Sequence, residues 1–235
     1  MNAARELVTQ LEEELKPFVT QVATGPFVES VLAGDFPLDG IRFVHTNHYH
    51  LLMNDMANLN LYVAKARSEE EMLFFHFMAA EEKNHIGALY YLTDALDINR
   101  EQLTASEPHA ACLVRTNYFS RLAQYGTAGE IAVAILLNFP VWAAGAKREA
   151  NGLREHYGLG NSVPGTDARD TDILDRFETA TEGFTQSALK IVDRDLATPG
   201  SEERLVQAAR WSVEYEAMVW DTYYDEGARV AGESS

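Results

Sequence analysis

Cysteine is almost absent from this chain: Cys112 stands alone among 235 residues, so no internal disulfide can brace the fold, which must rest on a packed core. Long apolar runs are missing too. The longest, Ile131 to Ala146, is broken by Asn138 and Pro140 and falls short of the ~18–20 residues a membrane-crossing helix needs, so it reads as a buried core helix. The first residues, Met1 to Glu6, hold neither the basic nor the apolar segment of an export signal, and the expected compartment is cytoplasmic, with no membrane partner. Basic residues are scarce as well. Lysine and arginine total 19 against 36 acidic residues, a formal charge of −17 that repels phosphate backbones and excludes nucleic acid as an expected partner. Lysine stands only at Lys16, Lys65, Lys83, Lys147 and Lys190. That balance fits a salt-adapted surface or the ordinary acidity of an arginine-preferring genome, and stability measured against KCl separates the two.

Strand-like alternation is also nearly absent, while helix start and stop signals recur, so the expected fold is one all-α domain over residues 1–235. A first helix is predicted from Ala3 to Lys16, stopping before Pro17, and a short one from Phe27 to Leu32 ends at Gly34. A long helix follows over Leu38 to Ala66. Ser68 with Glu71, and Thr127 with Glu130, have capping-box spacing and open helices expected to reach Leu96 and Tyr157, the second kinked at Pro140. Between them a helix is predicted from Pro108 to Gln124. Residues 161–170 form a loop; helices over Thr171 to Leu196 and Ser201 to Ala228 complete the chain. Long helices with short connections imply an antiparallel bundle whose ligand site lies between facing helices.

Three segments concentrate ionisable groups. In the first, Asn47 and His50 share one helix face and His45 and His48 another, so all the histidines cannot face one site; His45 and His48 are expected on the surface or satisfied in the core. Glu82 and His85 have the Glu-x-x-His spacing that lets a carboxylate and an imidazole reach one metal, but a second such motif is missing and a plain Glu–His contact on the helix is the favoured explanation of the spacing. The last helix embeds Glu214, Glu216 and Asp221 among bulky apolar residues. A carboxylate turned inward there is desolvated and suited to proton transfer.

With these residues in view, the chain resembles the TenA/thiaminase II family from Gly25 to Tyr224. The resemblance is carried by residues 25–52 (GPFVESVLAGDFPLDGIRFVHTNHYHLL), residues 105–137 and the closing EYEAMVWDTYY. It implies a haem-oxygenase-like bundle of long antiparallel helices. It places the early pocket carboxylate on Asn47, its neighbouring tyrosine on His50, a middle tyrosine on Tyr118 and the catalytic glutamate on Glu216. Where family thiaminases carry a nucleophilic cysteine this chain reads Ala134-Ile135-Leu136-Leu137-Asn138-Phe139-Pro140, with no nucleophile. Segment Glu82 to His85 is also similar to the Glu-Lys-x-His of haem-oxygenase-like non-haem iron oxidases, whose other ligand positions fall here on Asn47, Val141, Thr181 and Phe184.

The expected ligand is accordingly a small aminopyrimidine-like heterocycle. Phe139, Trp142, Phe177 and Phe184, together with Tyr118, would supply stacking faces, His50 would line the pocket, and Asn47 and Glu216 would pair with the ring edge. The chemistry would be hydrolytic loss of an exocyclic amine, without a cofactor. The alternatives are an iron oxidase using Glu82 and His85, and a non-catalytic ligand-binding protein. Self-association into a homo-oligomer is expected, because Phe74 to Met78 has more apolar bulk than one helix face needs.

Overall fold

The computed structural model describes residues 3–175 and 182–233. Its helices are α1 (Ala3–Ala23), α2 (Pro26–Ala33), α3 (Leu38–Lys65), α4 (Glu69–Ala95), α5 (Arg100–Ala105), α6 (Val114–Tyr125), α7 (Ala128–His156), α8 (Asp172–Asp175), α9 (Glu182–Leu196) and α10 (Ser201–Glu233), with a 3-10 turn at Ala110–Leu113 before α6. Among the described residues there is no strand, only an isolated bridge between Ser162 and Arg169 in the expected loop.

Helix α7 is apolar on every side through its first half, where Gly129 to Asn138 are all buried. Only a helix enclosed by others can have that pattern. It packs against α1, α2, α9 and α10, while α3 packs against α4, α6 and α10, so α10 is the shared wall between the two groups. By length and hydropathy α7 could cross a membrane, but 67% of its apolar window is buried inside the protein, which makes it a core helix.

Capping decides most of the boundaries. Ser68 accepts from the Glu71 amide, and Thr127 and Glu130 form the reciprocal box, as their spacing predicts. A further box, Asn99 with Gln102, opens α5, a helix that is not among the expected elements although its residues carry the signal. Other differences have local causes. Helix α1 runs on through Pro17 because the bond lost there frees a carbonyl at exposed Glu13, while Phe18 and Val19 pack against the core and Val22 is buried within it. The helix expected from Pro108 starts as the 3-10 turn, and only Val114 onward is α-helical. Of the helix expected over Thr171 to Leu196, the described parts are α8 and α9. Helix α10 continues past Ala228, where Arg229 pairs with Glu226 and Glu233.

The apolar segment of α4 is mostly used internally: Phe74, Phe75 and Met78 are buried, and Phe77 joins Met72 and Leu73 on the surface. One glycine fixes how closely α7 meets α2. A Cβ on Gly152 would stand 2.5 Å from the Val31 carbonyl oxygen, a backbone atom that cannot swing aside. Alanine at an open helical glycine gains about 0.5–1 kcal/mol. Gly152→Ala is instead expected to lose about 1–3 kcal/mol by forcing α2 off α7. A denaturant melt showing the variant as stable as the parent would refute this contact.

Candidate active site

Five long helices converge on a cavity of about 50 Å³, lined by Asp55, Asn58, Leu59 and Tyr62 of α3, Met78 and Glu82 of α4, Arg115 and Phe119 of α6, and Ile135, Asn138 and Phe139 of α7, with α10 behind them. On α3 the polar stripe follows the helix period: His48, Asp55 and Tyr62, seven apart, lie on one side facing inward.

Arg115 is the organising charge. Its Nη2 donates to Asp55 Oδ2 at 2.6 Å, and its Nε stands 3.0 Å from Glu216 Oε2. Thr116 Oγ1 donates to the other oxygen of Asp55. Glu216, 2% exposed, also accepts from Trp220 Nε1 at 2.8 Å and Asn138 Nδ2 at 3.2 Å, and the same Asn138 amide donates to the Ser212 carbonyl. Burial pushes the Glu216 carboxyl up, against the pull of Arg115, Trp220 and Asn138. Burial alone would favour a neutral Arg115, but Asp55 and Glu216 hold its proton more firmly than usual.

Glu82 faces the same cavity in a different state. Its Oε2 lies 3.7 Å from His85 Nδ1, while its buried Oε1 has no hydrogen-bond partner among the described residues. Burial raises the pKa of Glu82, opposed by His85. Beyond it the His85 ring meets Trp142 at 5.3 Å and His48 at 5.8 Å, and His48 meets His45 at 6.2 Å. His45 and His48 are both buried, His45 with Nε2 3.1 Å from Glu149 Oε1.

The residues singled out in the sequence fall in different places. Glu216 and Glu82 come to one network through Arg115, with His85 at its edge, and Phe139 lines the cavity. Asn47 is occupied elsewhere: it donates to the Phe43 carbonyl at 2.9 Å and accepts from the His109 amide at 2.7 Å, fixing the chain that leads into α6. His50 contacts Ser106 Oγ at 2.7 Å, at the end of α5. Tyr118 packs on Trp211 and Tyr215, and burial pushes its hydroxyl up to about 12. Phe184 stacks on Phe139, and Phe177 and Thr181 lie outside the described residues. Asp55, Tyr62, Arg115 and Asn138 were not picked out in the sequence. Their signal was available: an aspartate and a tyrosine on the His48 stripe, and an asparagine inside the most apolar helix.

Among the described residues no three His, Cys, Asp or Glu side chains are grouped to hold an ion. Val141 and Phe184, at two positions where the oxidases place ligands, are apolar and built into the core. Cys112 is fully buried in the 3-10 turn, and burial pushes its thiol up to about 12, so it is an inert core residue.

The comparisons with known proteins agree with this architecture. The sequence matches the TENA/THI-4/PQQC family over residues 12–226. The chain belongs to that family. Among solved structures, a TenA homologue from P. horikoshii OT3 superposes with TM-score 0.72 at 18% identity, covering 94% of this chain and 99% of that one. A TenA homologue from Pseudomonas syringae gives 0.74 at 13% identity, covering 92% and 91%. A domain with a haem-oxygenase-like fold from Shewanella denitrificans OS217 gives 0.76 at 16% identity, covering 93% and 92%. At these identities the likeness establishes the haem-oxygenase-like fold of this TENA/THI-4/PQQC-family chain. No curated protein matches it by sequence.

Proposed function

We propose that this TENA/THI-4/PQQC-family protein binds a small amine-bearing heterocycle of the aminopyrimidine kind and removes the amine with water, in chemistry related to thiamin salvage. The observation that carries the reading is Glu82 Oε1, a buried carboxylate oxygen that has no hydrogen-bond partner among the described residues and stands in the wall of a small, largely apolar cavity. Buried polar atoms are rarely left so unless something else engages them.

Charge and size select the ligand. Asp55, Glu82 and Glu216 surround one guanidinium, Arg115, so the site has room for a further positive or hydrogen-donating group such as an amine. At about 50 Å³ the cavity admits an amino group and a water but no ring. The heterocycle therefore rests against Phe139 with its amine pointing in. Water bonds to the ring carbon and gives a proton to Glu82, which passes it to the departing nitrogen; the amine leaves as ammonia and the ring keeps the oxygen. Proton transfer suits Glu82, because burial shifts its carboxyl towards holding a proton while His85 opposes that shift. Glu216, with both oxygens engaged, suits the fixed charge that keeps Arg115 and Asp55 in place.

Ammonia release from an aminopyrimidine tests this. Glu82→Gln is expected to lower turnover by about 10²–10⁴ while leaving most of the binding, since the amide keeps the shape and loses the proton. Cys112→Ser should leave turnover unchanged. Loss of activity in the cysteine variant with a normal melting curve would replace this mechanism with a covalent one.

A further inference from the structure

A cavity of about 50 Å³ cannot hold the ring of a heterocycle, so one of its walls must yield room. One wall is shared with a second hollow. Tyr62 lines both the cavity and an outer cleft of about 560 Å³, at the end of the bundle where α3 and α6 finish and α4 and α7 begin. The two hollows lie along one seam, because each of the four helices supplies successive turns to them. Leu59 and Lys65 flank Tyr62 in α3; Met78 is followed outward by Phe75 in α4, Phe119 by Ala123 in α6, and Ile135 by Ile131 in α7. Steps of three or four residues are one helical turn, about 5.4 Å along the axis, so about one turn of side chains separates cavity from cleft. Tyr62 and Phe75 fill that turn. Their rings meet at 5.3 Å and 52°, and the Tyr62 hydroxyl donates to the Phe119 carbonyl at 2.8 Å. On the outer side Lys65, Arg67 and Tyr125 are exposed, so the cleft opens to water. Among the described residues, the larger groove between α4 and α9 shares no lining residue with the cavity.

We propose that this cleft is the mouth of the ligand site and that Tyr62 is its door. The tyrosine ring swings away from the Phe119 carbonyl, joins cleft to cavity and admits the ring of the ligand while its amine reaches Glu82. The route rests on reading the cavity as the ligand site, and adds to that reading the residue that limits what passes. A single neutral hydrogen bond latches the door, weak enough to break and remake thermally. Charges in the cleft nearly cancel: Lys65, Arg67 and Arg194 stand against Glu71 and Asp195, with Arg194 paired to Glu71. A neutral heterocycle therefore meets no charge barrier on its way in.

A thiol placed on the cavity wall tests the door. In the full chain with Cys112→Ser, Ile135→Cys supplies one reporter and Leu59→Cys, on the facing helix, a second. Their rates of modification by the neutral reagent methyl methanethiosulfonate, followed by intact mass, measure passage into the cavity. Both rates are expected to stay flat at low urea, as for a local opening. Adding Tyr62→Phe should raise them about five-fold, the factor that one neutral hydrogen bond represents. Phe184→Leu loosens the opposite wall, where Phe184 stacks on Phe139, and should leave the rates unchanged, which controls for lost stability. No acceleration in Tyr62→Phe, equal acceleration in Phe184→Leu, or rates that climb with urea as global unfolding does, overturns the door. So do reporters that fail to react in the folded chain. None of these outcomes involves the ligand, so the cavity reading would survive them and stands or falls on ammonia release by Glu82→Gln.

Discussion

Replacing Arg115 with leucine is expected to cost about 3–5 kcal/mol of stability, the largest loss from any single substitution considered for this protein. Among the described residues the guanidinium is the cation that pairs with both Asp55 and Glu216, and removing it leaves a fully buried carboxylate and a largely buried one without it. For a chain of 235 residues each kcal/mol moves the melting temperature by about 2–4 °C, so the expected fall is about 6–20 °C. The cause can be separated from lost packing against Phe119, over whose ring the guanidinium sits at 5.3 Å. If stranded charge dominates, adding Asp55→Asn and Glu216→Gln to Arg115→Leu recovers part of the loss, because neutral amides cost less to bury than carboxylates. If packing dominates, the triple variant is worse than the single one. A loss below about 1 kcal/mol for Arg115→Leu would mean that water reaches the network and that the site is not enclosed.

The local signals in the sequence were the reliable ones. Ser68, Thr127 and the apolar run of α7 set boundaries within a few residues because capping and periodicity act over one or two helical turns. Pro17 misled because its effect depends on whether the freed carbonyl reaches water, which is a tertiary fact. In the site, Glu216 was legible from its setting among apolar residues and from the Trp220 that follows it by one turn and binds it. Asn47 shows the limit of alignment. A one-dimensional match placed it in the pocket, whereas the incoming chain at His109 takes its side-chain oxygen. Arg115 could not be assigned from its surroundings in sequence, since its partners Asp55 and Glu216 lie 60 residues before it and 101 after it, and only packing brings them together. Buried ion pairs of this kind are fixed by the whole fold and leave no local pattern.

The stability of the wild-type chain is expected to fall as the pH drops from 6.5 towards 5, and His48 is a principal cause. Burial first, then the charges of His85, His45 and Arg115, hold its pKa well below 6.5. The charged groups that act on it are His45 on α3, His85 on α4 and Arg115 on α6, with Glu149 of α7 against His45 and Glu82 of α4 against His85. Below pH 6.5 the unfolded chain binds a proton at this histidine and the native chain does not. The contribution is therefore fully present above pH 6.5 and is lost at about 1.4 kcal/mol per pH unit below it, up to about 2 kcal/mol by pH 5. Glu82 and Glu216 run the other way. Burial raises both, so the native state keeps their protons above pH 4.5 where the unfolded chain releases them, and their contribution shrinks as the pH rises. His48→Leu isolates the histidine, because any packing offset is the same at every pH. Measured by urea unfolding, the variant should differ from the wild type by a constant above pH 7, and its relative stability should improve by up to about 2 kcal/mol between pH 6.5 and 5. Parallel curves over that interval would show that His48 takes up its proton in the folded state, and that the inner wall of the site carries positive charge below pH 6.5.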